Sequence, residues 1–191
     1  MTVLGVFRIA FRHRESFFLS ELPKGVDSLE GLSNFVIHER DGLTWHREGF
    51  RYRDEWFDSL LEGLPLSPTA AEIKKRQKRG DFTGNTVYYR LIYNVLPGKT
   101  DEFLKAFEKE LLPMEEKRGM KLAGCYRWFG ACGESGEIIS LWAAKDWAHW
   151  GKVHETQLKD LKYQEWMEKV SGLCAEWSYK CRNCLRFWSC I

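Results

Sequence analysis

Six side chains between residues 89 and 154 have the types and placement for small-molecule chemistry. His154 leads them. Trp147, Trp150, His154, Leu158 and Leu161 recur at intervals of three or four, which lines them along one face of a helix. An imidazole on such an apolar stripe is equipped to act as a general base, a haem ligand or a polar contact to a bound aromatic molecule. Trp150 stands beside it as a substrate-binding surface, whereas His149 falls off the stripe and reads as solvated. Tyr89 and Tyr126 project from strand-like stretches and carry hydroxyls that can orient a ligand, and Trp142 offers a stacking wall. Arg90, a rarer type inside a strand, has the fork geometry for a carboxylate. The expectation is therefore catalysis by His154 and Tyr126, with Tyr89, Arg90, Trp142 and Trp150 holding the substrate.

Competing chemistries have thinner patterns. Cys174, Cys181, Cys184 and Cys190 crowd the C-terminal end with a single C-x2-C pair among them. Four thiolates would suit zinc or an iron–sulfur cluster, but the aromatic residues between them have the character of a strand. Reduced, buried structural thiols are the expected reading. His38 and His46 flank an Asp41-Gly42 turn without a third ligand in an evident pattern. No Gly-x-Gly-x-x-Gly, P-loop, Gly-x-Ser-x-Gly or His-Glu-x-x-His pattern occurs, and the carboxylates lie on solvated helix faces. No metal site is assigned and no cofactor is required, with haem and zinc left open.

The elements that must position these residues read most clearly from residue 86 onward. In "VYYRLIYNV" (87–95) Val87, Tyr89, Leu91, Tyr93 and Val95 alternate with Tyr88, Arg90, Ile92 and Asn94, the period of a strand. Pro97-Gly98 stops it, Thr100 is placed to cap a helix, and Phe103, Phe107 and Leu111 supply that helix with an apolar stripe. Pro113 should kink or end it, with Gly119 as a C-terminal stop. "MKLAGCYRWFG" and "IISLWAA" read as two further strands about a turn at residues 131–137, with Met120, Leu122, Gly124, Tyr126 and Trp128 on one side of the former. A single helix follows over 145–170, broken at Gly172, and "LCAEWSYKCRNCLRFW" completes a β-α-β-β-α-β order, the ferredoxin-like split unit.

Residues 1–85 form a separate region, readable as a degenerate second copy of that unit. "VLGVFRIAF" suggests a strand, and "NFVIHERDGLTWHREGFRY" two strands joined at Asp41-Gly42. "DEWFDSLLEGL" suits a short helix. A second helix fits "SPTAAEIKKRQKRG", with Pro68 near its start and Gly80 at its end. The basic run inside it reads as a solvated helix end, and a net charge of +2 gives no general attraction to nucleic acid or anionic membrane. No apolar run approaches the ~20 residues of a membrane span. The N-terminus lacks the pattern of a secretory signal, so a cytoplasmic protein is expected, with an organelle matrix also open.

"YRLIYNVLPGKTDEFLKAFEKELLP", "KRGMKLAGCYRWFG" and "GEIISLWAAKDW" together resemble the NIPSNAP family over residues 88–150. Pro97-Gly98, Phe103, Pro113, Lys117, Gly119, Gly124, Leu141 and Trp142 stand at matching places. Ala143 or Ala144 occupies the position where the family usually has Tyr. The resemblance implies an α+β fold in which ferredoxin-like units pair sheet to sheet, as a homodimer or a tandem repeat, into an α+β barrel. It also implies kinship with cofactor-independent monooxygenases and cyclases acting on aromatic or polyketide-like molecules, or else a non-catalytic binding or assembly protein. A physical reason agrees: both sides of the central strands are apolar, and an exposed second side would be a large sticky patch. A second sheet, from another chain or from residues 1–85, is expected to cover it.

Overall fold

The computed structural model describes residues 2–9, 16–21, 61–83, 85–128, 137–175 and 186–190 of the chain. Its centre is built from β4 (Val87–Asn94), β5 (Lys121–Trp128), β6 (Glu137–Ala144) and β7 (Arg186–Cys190). β6 runs antiparallel to β4 along its full length, from Val87 opposite Ala144 to Asn94 opposite Glu137. β5 pairs with the other side of β6, and β7 with the other side of β4, both antiparallel. The spatial order β7-β4-β6-β5 is that of the split β-α-β-β-α-β unit.

The described strands of the N-terminal region extend this same sheet. β1 (Thr2–Ile9) pairs with β7, and β2 (Ser16–Glu21) pairs with β1. At the opposite edge β3 (Leu61–Gly63) lies against β5. The short helix expected from "DEWFDSLLEGL" is thus a strand at Leu61–Gly63, where edge pairing overrides a helical pattern; its earlier part lies outside the described residues. So does the Asp41-Gly42 turn. The edge of β5 beyond β3 is closed by polar groups of the following segment. Leu64 N–H donates to the Cys125 carbonyl at 3.0 Å. Ser67 Oγ accepts from Cys125 N–H at 3.0 Å, and Arg76 Nη1 donates to the Leu122 carbonyl at 2.9 Å. Arg76 belongs to α1 (Ala70–Lys78), whose start is fixed by a reciprocal capping box between Thr69 and Glu72.

Helices cover one side of the sheet. α2 (Thr100–Ala106) begins one residue earlier than the Thr100 cap predicts: Lys99 is the cap, with no side-chain bond to the helix backbone but with its ammonium donating to Glu102 at 2.7 Å, and Thr100 is already helical. A wide π-turn (Phe107–Leu111) then leads into α3 (Leu112–Lys117). Pro113 lacks an N–H and its ring would crowd the carbonyl four residues back. The π-turn ahead of it lets the helix pass through the proline rather than stop there. Gly119 ends α3 at φ +83°, with its N–H to the Glu116 carbonyl at 2.9 Å and Met120 N–H to the Glu115 carbonyl at 3.0 Å, the two bonds of a Schellman turn.

The helix expected over 145–170 is two. α4 (Trp147–Lys159) and α5 (Leu161–Ser171) meet at Asp160, whose backbone is extended and whose carboxylate accepts from Lys162 N–H at 3.0 Å. An aspartate that offers its own acceptor to the backbone can start a new helix inside an apparently continuous run. Between these helices and the sheet lies an aromatic core. The Tyr93 ring packs at 4.9 Å from Phe103 and edge-on to Phe107 and Trp166, and Phe107 in turn packs on Trp142 at 5.8 Å.

The other side of the sheet carries Tyr88, Arg90, Ile92, Leu141, Ala143 and Tyr126 by register. Tyr88, Leu141 and Ala143 are buried within the single chain, while Ile92 and Ile139 are half-buried. The chain meets this side from residues 67–82: Asp81 pairs with Lys121 at 2.8 Å, and the Phe82 ring lies 6.0 Å from Tyr88.

Candidate functional site

Trp150 is the hub of the aromatic group that the fold assembles. Its ring stacks on His154 at 5.4 Å with only 9° between planes, as expected for neighbours one turn apart on α4. Trp147 meets it edge-on at 6.2 Å, and Tyr89 reaches it from β4 at 6.4 Å. Trp150, His154 and Tyr89 are half-buried and Trp147 is 43% exposed, so the group forms a shelf at the surface. Among the described residues neither ring nitrogen of His154 has a hydrogen-bond partner. The shelf therefore sets partly exposed aromatic rings beside an imidazole whose nitrogens have no partner among the described residues.

The remaining expected site residues go elsewhere. Trp142 faces the same side as Tyr89, its register partner, but is sealed in the core with its indole N–H donating to Ser140 Oγ at 3.1 Å. It packs the protein rather than walling a cavity. Arg90 alternates with Tyr89 and lies on the opposite side of the sheet. Tyr126 lies there too, because the irregularity between Leu122 and Gly124 puts Leu122 on the core side and Gly124 and Tyr126 on the other. Its ring lies across Gly124, where an added Cβ would come within 2.4 Å of it, so any side chain there would have to displace the Tyr126 ring. Burial raises the Tyr126 phenol above its usual range against the lowering effect of a hydrogen bond with Ser67. The sheet separates Tyr126 from His154, so one cavity cannot hold both.

The orientation of α4 also differs from the periodicity. Val153 is its buried residue, while Leu158 is 64% exposed and Leu161, the first residue of α5, 72%. The packed face includes His149, Trp150, Val153 and Gln157, roughly a quarter turn from the predicted stripe. His154 thus stands on the flank of α4 and not beneath it. His149 is anchored instead of solvated: its Nδ1 accepts from Lys145 N–H at 3.1 Å, which leaves Nε2–H to donate to the Arg118 carbonyl at 2.8 Å.

Below that contact lies a buried ionic group that periodicity did not reveal. Glu115 accepts from Gln157 Nε2 at 3.0 Å on each oxygen and from Arg118 Nη1 at 2.5 Å. Arg118 Nη2 donates to Asp160 at 2.5 Å, and the guanidinium sits 5.3 Å from the Tyr163 ring centre. Burial raises the Glu115 carboxyl above its usual range despite the opposing pull of Gln157 and Arg118. Asp160 is lowered: desolvation opposes this, but Lys162 N–H and Arg118 together outweigh it. Every acceptor is engaged within the fold, so the group clasps α3 to α4 and α5.

Cys125 and Cys174 are buried free thiols, and burial pushes both up to about 12. A protonated core thiol is a packing group and a poor metal ligand. Cys181 and Cys184 lie outside the described residues, as do His38 and His46. Among the described residues no three His, Cys, Asp or Glu side chains are arranged to hold a metal ion. No helix among them is long and apolar enough to cross a membrane.

Residues 88–176 match the NIPSNAP family model, a span that runs past β6 to include both α4 and α5. An uncharacterized NIPSNAP domain protein from Burkholderia xenovorans is 23% identical, with 48% of this chain and 85% of that one covered and a TM-score of 0.41. A NIPSNAP family protein from Agrobacterium tumefaciens is 21% identical, with 48% and 84% covered and a TM-score of 0.41. No curated protein matches the chain.

Proposed function

We propose, alongside the match of residues 88–176 to the NIPSNAP family model, that this protein binds a planar aromatic or polyketide-like small molecule on the shelf formed by Tyr89, Trp150 and His154. The observation that carries the reading is the Trp150–His154 stack, which holds an imidazole with no hydrogen-bond partner among the described residues beside the partly exposed rings of Trp147 and Trp150. A flat ligand would gain stacking from Trp147 and Trp150 and a hydrogen bond from His154. If the bound molecule is turned over, His154 is the proton-transfer group, acting without Tyr126. Binding of the planar anthraquinone emodin, followed by its absorbance and fluorescence, tests the shelf. Trp150→Ala should weaken it at least about tenfold, equal to ~1.4 kcal/mol, and His154→Phe, which keeps the stack, should weaken it by a smaller factor. Equal affinity in wild type and both variants would remove the shelf as a site.

The assembly belongs to the same proposal. Ile92 and Ile139 are register partners on the second side of the sheet and remain half-buried in one chain. Their partial exposure supports a second copy meeting that side to close a barrel. Light scattering should give a dimer mass for the wild type and a monomer for Ile92→Glu. A wild-type monomer at tens of micromolar would end this part of the reading.

A further inference from the structure

We draw no further inference here: the strongest candidate, the exposed apolar corner that Leu158 and Leu161 form between α4 and α5, is an uncovered helix face, and nothing in the structure shows what covers it.

Discussion

Arg118→Ala should unfasten the clasp between α3 and the α4–α5 pair, and the defect should depend on pH in a direction fixed by its neighbours. The Arg118 side chain is 9% exposed and that of Glu115 5%, so the substitution strands a buried carboxylate with Gln157 as its remaining partner. Breaking a buried pair from one side costs about 3–5 kcal/mol, more than the pair itself contributes. For a chain of this size such a loss lowers Tm by on the order of 10 °C. The signs follow from linkage. Glu115 already has a raised folded-state pKa, so its contribution is present in acid and lost as pH rises through that value; losing Arg118 raises it further and deepens the loss at neutral pH. Asp160 has a lowered pKa, so its contribution is present above the carboxylate range and lost in acid; losing Arg118 removes part of it, again at neutral pH. Both changes make the gap between variant and wild type largest near neutrality and smaller as Glu115 takes up a proton. Urea unfolding followed by tryptophan fluorescence at several pH values between 4.5 and 8 measures this gap. Adding Glu115→Gln to Arg118→Ala should restore on the order of 1–3 kcal/mol at neutral pH, the coupling expected of a shared network. A gap below about 1 kcal/mol, or one constant with pH, would refute the reasoning.

Two other consequences are open to the same kind of measurement. Gly119→Ala places a Cβ 3.2 Å from His149 Nε2 at φ +83°, whereas Gly98→Ala, at φ +76°, meets open space. Both pay the left-handed cost of roughly 1–2 kcal/mol, and urea midpoints should show Gly119→Ala as the worse because it also disturbs the His149 anchor. Cys125 and Cys174, buried and pushed up to about 12, should resist Ellman's reagent at pH 8 in the native state and react once urea unfolds the chain. Peptide mapping identifies which cysteines were modified, and rapid native labelling of these two would count against their burial.

The sequence was most legible where local pattern and tertiary demand agree. The alternation in "VYYRLIYNV" gives β4, and the Pro97-Gly98 stop and the Gly119 terminus appear where turn chemistry puts them. The same alternation already set Arg90 opposite Tyr89, which is why they could not share a site. Tyr126 was harder, because a bulge shifts its strand by one residue, and the only local sign of it is Gly124, a glycine inside a strand pattern. The face of α4 was misread for a physical reason. Hydropathy favours the flank of Trp147, His154 and Leu158, yet His149 and Gln157 are drawn inward by a carbonyl and a carboxylate at the end of α3. Those partners lie more than thirty residues away, and helical periodicity carries no record of them. The break at Asp160 did have a local signal, an aspartate followed by leucine inside a charged run, that a cap search would find.

With Leu64, Ser67 and Arg76 occupying the backbone groups of Leu122 and Cys125, an incoming extended peptide has no ladder to join at those positions. Strand donation, domain exchange and fibre growth by hydrogen-bonded stacking are all discouraged there. Whatever this molecule recruits at that margin must recognise side chains, and a mutation freeing the Arg76 contact would give a stray segment somewhere to zip on.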